Sequence, residues 1–171
     1  MARIALNPLP DLAILNARYA YDPNTGLFVH KTTAKHVKIG SIAGCKSVYG
    51  YITLKINGVG YYAHRIAWYM YYSVEPDSSL DIDHINGIRS DNRICNLRLV
   101  TRSQNTQNLK TAKTDKNSRL LGVHFMPRIN KYVARIGLNG VRYYLGVYET
   151  KEHAYEVYLD AKRKLHTHGT L

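Results

Sequence analysis

The 171-residue chain carries 24 Lys and Arg against 12 Asp and Glu, a net charge of +12, and is 45% hydrophobic. This composition excludes a disordered chain and suits a polyanionic partner. Basic residues outnumber acidic ones 14 to 7 over residues 1–114 and 10 to 5 over 115–171, so the charge is not confined to one tail.

The N-terminal stretch is broken by Pro8, Pro10 and Asp11 before any cleavage-site pattern, and no segment has the apolar length of a membrane span. A cytoplasmic protein with no membrane partner is expected. Only Cys45 and Cys95 are present, in no CxxC pair, which supports neither a zinc ribbon nor a disulfide framework. Both are expected as buried free thiols.

A short helix is predicted around Asp11–Tyr19, entered after Pro10, followed by a turn at Asp22–Gly26 that leads into a strand. His30, Lys35, His36 and Lys38 read as solvated loop residues. Asn57-Gly58 between two alternating runs predicts a type I′ hairpin in which Ile56 pairs with Val59. That register places Ile52, Leu54, Ile56, Val59, Tyr61 and Ala63 on one face. His64–Tyr72 reads as a helix with Ile66, Tyr69 and Met70 inward. His64 has no acidic neighbour and is expected to play a structural hydrogen-bonding role.

Residues 81–108 read as strand, long loop, strand and helix. Asn86-Gly87 marks a turn, Leu97 and Leu99 alternate, and Thr101 with Gln104 forms a capping box that puts Asn105 in the first helical turn. Asn92, between Asp91 and Arg93, is expected to shape the loop.

This segment holds the parts that hydrolysis of a phosphodiester needs: a base for water, and a cation near the phosphate and leaving oxygen. A neutral imidazole at His84 suits the base if an acceptor fixes its other nitrogen, and Asn96 is a candidate, through its side-chain oxygen or its backbone carbonyl. Asp83 and Asn105 offer only oxygen ligands, which favours Mg²⁺ or another hard divalent cation such as Mn²⁺ over Zn²⁺. Adjacent strand residues point to opposite faces, so the strand must end or bend for Asp83 and His84 to serve one site. Gln104 and Asn108 are secondary candidates for contact with substrate.

Residues 111–118 lack periodicity and are expected to link two domains, 1–110 and 119–171. Beyond them, strands are predicted over Gly122–Met126, Lys131–Leu138 and Val141–Tyr148, with Leu138 paired to Val141 across Asn139-Gly140. One face would carry Tyr132, Ala134, Ile136, Leu138, Val141, Tyr143, Leu145 and Val147, covered by a helix that Thr150 caps. The other would present Arg135 opposite Tyr144, with Arg142 beside them, to duplex DNA.

The Asp83-His84, Asn96 and Asn105 pattern resembles the ββα-metal motif of HNH endonucleases. The stretch GYITLKINGVGYYAHRIAWYMYY resembles the lead-in of phage and intron-type homing endonucleases, so that this likeness spans roughly residues 18–110. The resemblance implies His84 as general base, Asp83 and Asn105 as metal ligands, and Asn96 as the residue that fixes the loop and the base. Residues 119–168 resemble the AP2 DNA-binding domain through Gly122-Val123, KYVARI, YLGVYET and the Ala154–Ala161 helix, with Leu121 and Met126 where arginines are usual in plant members. His124, Arg128, Arg135, Arg142 and Tyr144 match that family's DNA-facing positions.

The expected fold class is therefore α+β, a ββα-metal nuclease domain followed by a three-stranded antiparallel sheet with one helix. The expected activity is metal-dependent cleavage of double-stranded DNA, as a nicking homing-type endonuclease, in the host cytoplasm if phage-encoded. No feature calls for an obligatory protein partner. The alternative is a non-catalytic DNA-binding regulator that uses the AP2-like domain.

Overall fold

Asp11 starts the first helix, α1 (Leu12–Arg18), because its carboxylate accepts the orphan backbone N–H of Ala13 at 2.7 Å. This is a computed structural model, and it describes residues 7–34, 37–107 and 120–166. Lys35, His36, Asn108 and the expected linker at 111–118 lie outside those residues. The chain divides into two compact units, Met1–Leu99 and Val100–Leu171. Among the described residues the architecture is α+β, with small antiparallel sheets and four α-helices.

In the first unit, β1 (Tyr19–Asp22) and β2 (Leu27–His30) form a hairpin to which β3 (Ile42–Ala43) adds. A second sheet contains β4 (Cys45–Lys46), β5 (Ile52–Ile56) and β6 (Val59–Tyr62). Ile56 pairs with Val59 as predicted, and Asn57 and Gly58 take the positive φ angles, 51° and 82°, that a type I′ turn demands. Leu54 and Ile56 are buried on the predicted face, whereas Val59, at the turn, is exposed.

Ala63 does not extend the strand: it opens α2 (Ala63–Tyr72) and is itself buried. Ser73, left-handed at φ 57°, ends that helix by donating its N–H to Tyr69 O. Leu15, Phe28, Leu54, Ile56 and Ile66 meet in one core, each contributing about 1.5–3 kcal/mol by leaving water. Cys45 and Cys95 are exposed free thiols, contrary to expectation. Cys45 lies on the short strand β4 and Cys95 in a tight turn, and neither position offers an apolar enclosure.

Next come β7 (Asp81–His84), a 3-10 turn at Ile94–Asn96, and β8 (Leu97–Val100), which pairs with β7. The unit boundary falls within β8, after Leu99.

The second unit begins with the end of β8 and α3 (Arg102–Gln107), followed by β9 (Val123–Met126), β10 (Lys131–Leu138), β11 (Val141–Tyr148) and α4 (Lys151–Leu165). The predicted capping box is present, since Thr101 N donates to Gln104 Oε1 at 2.8 Å and Gln104 N to Thr101 Oγ1 at 3.3 Å. The sheet order is β11-β10-β9, and Leu138 pairs with Val141 as predicted.

The predicted face breaks at a bulge. Arg135 pairs with Tyr144 but Ala134 with Gly146, so Leu145 is the extra residue and the alternation of β11 reverses beyond it. Tyr148 therefore joins Tyr132, Ala134 and Leu145 in the core beside Ala154, while Val147 turns outward. Val141 and Tyr143, also expected in the core, lie beyond its edge and are exposed.

Candidate active site

Strand β7 ends at His84, directly after Asp83. Immediately after it, Gly87 adopts φ 74° and returns its N–H to His84 O at 2.8 Å, a turn that sends the chain back over the end of the strand. Asp83 and His84 are both buried, at 7% and 4% exposure.

The Asp83 carboxylate is held by a residue that the sequence reading passed over. Arg98, on the paired strand β8, donates from Nε and Nη2 to Asp83 Oδ2 at 3.0 and 2.8 Å. The signal available was Arg98 in a run expected to pair with the Asp83 strand.

The His84 ring lies in an aromatic enclosure. His64, at the start of α2, meets it edge to face with ring centroids 5.1 Å apart, and Tyr51 approaches to 5.9 Å. Tyr62 stacks on His64 in turn, at 5.4 Å and an interplanar angle of 17°. His64 is thus a packing residue rather than the expected hydrogen-bonding one: its buried Nδ1 has no hydrogen-bond partner among the described residues. Burial, helped by the neighbouring His84 and Arg65, pushes its pKa down to about 3. Burial likewise lowers the pKa of His84, against the raising influence of Asn92, Asp83 and Asp91. Both rings are therefore neutral at pH 7.

Asn92, not Asn96, holds the His84 nitrogen. Asn92 Oδ1 lies 3.3 Å from His84 Nε2, and Asn92 is 1% exposed. An amide oxygen only accepts, so Nε2 carries the hydrogen and Nδ1 carries the basic lone pair.

Asn96 instead staples the loop that precedes it. Its Oδ1 accepts from Asn86 N at 3.0 Å, its Nδ2 donates to Asp91 O at 2.8 Å, and its carbonyl accepts from Ile85 N at 2.9 Å. With those groups committed to the loop, neither the side-chain oxygen nor the carbonyl is directed at His84. Asp91 reinforces the same loop, accepting from Asn86 Nδ2 and from Arg93 Nε and Nη2 at 2.7, 2.8 and 2.6 Å. The Arg93 guanidinium holds the Asp91 carboxyl down to about pKa 2. Arg89 completes the rim, its guanidinium 5.1 Å above the Tyr51 ring and bonded to Tyr49 O at 2.9 Å.

Asn105 belongs to α3 in the second unit, where its N–H continues the helix from Thr101 O at 2.9 Å. The described residues contain no cluster of three or more His, Cys, Asp or Glu that could hold a metal ion. A tetrahedral zinc site has no support there. The buried Asp83 carboxylate offers oxygen, the ligand type of a hard cation that keeps most of its waters.

In the second unit, His124, Arg135, Arg142 and Tyr144 are exposed and, by register, share the sheet face opposite α4. Arg135 and Tyr144 are direct cross-strand partners, as predicted. Arg128 is exposed in the Pro127–Ile129 turn between β9 and β10.

Among known families, residues 61–107 match an HNH endonuclease domain, which supports a nuclease function in general and implies DNA as the substrate class. The match begins at Tyr61 and takes in His64, Asp83, His84, Asn92, Asn96, Arg98 and Asn105. No curated protein and no solved structure matches the chain. No helix among the described residues is long and apolar enough to cross a membrane.

Proposed function

We propose that the protein is a metal-dependent endonuclease that hydrolyses phosphodiester bonds of duplex DNA, with the 61–107 segment as its ββα-metal centre. The observation that carries this reading is the buried neutral His84, its Nε2 3.3 Å from Asn92 Oδ1, adjacent in sequence to the buried Asp83 carboxylate. His84 Nδ1 takes the proton from the attacking water. Asp83 would hold Mg²⁺ or a similar hard cation, which when bound supplies positive charge to the phosphate and the leaving oxygen. Asn96 serves by keeping the 85–96 loop closed, and Arg98 by orienting Asp83.

The second unit is the DNA-holding part in this reading, an AP2-like sheet that presents His124, Arg128, Arg135, Arg142 and Tyr144 to the duplex. Guanidinium groups beside an aromatic ring suit both base edges and phosphates. With one copy of the Asp-His-Asn-Asn set, a single chain nicks one strand, in keeping with a homing-type enzyme of phage or mobile-element origin. A regulator that only binds DNA would need the charged face but not the His84 enclosure.

The test is incubation of supercoiled plasmid, and separately of RNA, with Mg²⁺ or with EDTA. Open circles that appear first, only with metal and only from DNA, are expected, and His84→Ala should remove them while binding persists. Tight binding without cleavage at any metal concentration would point to the regulator. Linear product from the start, with a rate rising as the square of protein concentration, would point to a dimer.

A further inference from the structure

The matched segment begins at Tyr61, yet the residue that holds His84 is itself held from outside that segment. Asn92 has its backbone carbonyl capped by the Tyr21 hydroxyl, which donates to it at 2.7 Å across 71 residues of sequence. Two residues on, Ile94 N donates to Pro23 O at 3.0 Å. Between these two bonds the backbone of Asn92 and Arg93 lies against Gly26, where an added Cβ would stand 2.4 Å from Arg93 N and 2.6 Å from the Asn92 carbonyl carbon. Only a glycine permits that approach, and Gly26 also takes φ 72°.

The turn that makes these contacts is rigid. Asp22 accepts from Asn24 N at 2.9 Å and from Thr25 Oγ1 at 2.7 Å, and Gly26 N returns to Asp22 O at 2.8 Å. Tyr21 is stacked on Phe28 with centroids 4.8 Å apart, and Phe28 is 1% exposed in the core.

We propose that the β1–β2 hairpin is a brace for the general base: through the Tyr21 hydroxyl, Pro23 carbonyl and Gly26 it fixes the backbone of Asn92, and so the tautomer and ring orientation of His84. Tyr21 is then a positioning residue at two removes from the reaction. The role of His84 as base rests on the nuclease reading above, whereas its tautomer does not. An amide that holds a base through a 3.3 Å contact holds it only as firmly as its own backbone is held. Support of this kind around a reacting group commonly changes activity by about 10- to 100-fold, with little effect on binding.

The experiment measures two quantities on the full chain. The first is the His84 imidazole tautomer, read from its ring ¹⁵N shifts at neutral pH without DNA or added metal. The second is kcat and KM for plasmid cleavage. Wild type should show the Nε2–H form. Tyr21→Phe, which removes one hydroxyl, should admit the Nδ1–H form and lower kcat about tenfold at unchanged KM.

Asn92→Ala should do the same more severely, and Asn92→Asp, which keeps an acceptor, should restore the Nε2–H signature relative to alanine. Tyr19→Phe is the control, because Tyr19 also donates a half-buried hydroxyl to a backbone carbonyl, that of Lys55 at 3.2 Å, without touching the Asn92 loop. It should leave both readouts at wild-type values. An unchanged His84 tautomer in Tyr21→Phe overturns the brace, and so does an equal loss of kcat in Tyr19→Phe. No cleavage by the wild-type protein, together with the tautomer change in Tyr21→Phe, keeps the brace and overturns the nuclease reading instead.

Discussion

The enclosure of His64 has a measurable consequence for stability. In the folded chain its pKa lies at about 3, displaced from 6.5 first by burial and then by the neighbouring His84 and Arg65. Between those two values the unfolded chain binds a proton at this imidazole and the folded chain does not. Stability therefore rises with pH through that window and is lost as pH falls below 6.5, at about 1.4 kcal/mol per pH unit. By pH 5, His64 alone should remove about 2 kcal/mol.

The same buried ring cannot titrate in His64→Phe, so the pH dependence of that variant should be shallower by this amount. His84 adds a loss of the same sign, but it is present in both proteins. Trp68, the single tryptophan, packs against the core of the first unit and reports its unfolding by fluorescence. With an m-value of about 2 kcal/mol/M in urea, the wild-type midpoint should fall between about pH 7 and pH 5 by about 1 M more than that of His64→Phe. Equal falls in the two proteins would refute the argument and mean that His64 accepts a proton within the folded state.

Arg98→Gln should destabilise the chain by about 1.5–3 kcal/mol, since Asp83 loses its charged donor. If Asp83 is a metal ligand, the same variant should reach half-maximal cleavage at lower Mg²⁺, because a competing cation has been removed; a higher requirement would place the ion elsewhere. Arg135→Ala and Arg142→Ala should each weaken DNA binding, by about 1–3 kcal/mol and selectively for a base contact, or alike for all sequences with a salt slope shallower by about one unit for a phosphate contact. Unchanged affinity and slope in both would make this face ordinary surface. Gly122→Ala should cost more than about 1 kcal/mol in thermal or urea unfolding, because Gly122 sits at φ 76° and an added Cβ would stand 2.0 Å from the Tyr158 ring. A neutral result would show that Tyr158 moves aside freely.

Local chemistry made much of this protein legible before any coordinates. Asn57-Gly58 and Asn139-Gly140 set both hairpin registers, because only residues that tolerate positive φ close a two-residue turn. Thr101 and Thr150 marked helix starts through side-chain oxygens that reach backbone donors a few residues away. The Asp83-His84 pair, with a turn directly behind it, pointed to a strand end that could turn both residues to one use.

Tertiary structure alone decided what lies across space. Asn92 and Asn96 are four residues apart and chemically identical, and which of them meets His84 depends on how the loop folds back and on a tyrosine 71 residues away. The bulge at Leu145 carries no local signal, yet it reverses every later side chain of β11 and exchanges Val147 for Tyr148 in the core. His64 drew attention in sequence only for lacking an acidic neighbour. Its neutrality comes from three rings brought from β6, β7 and the approach to β5, and burial is a property of the assembled fold rather than of any stretch of chain.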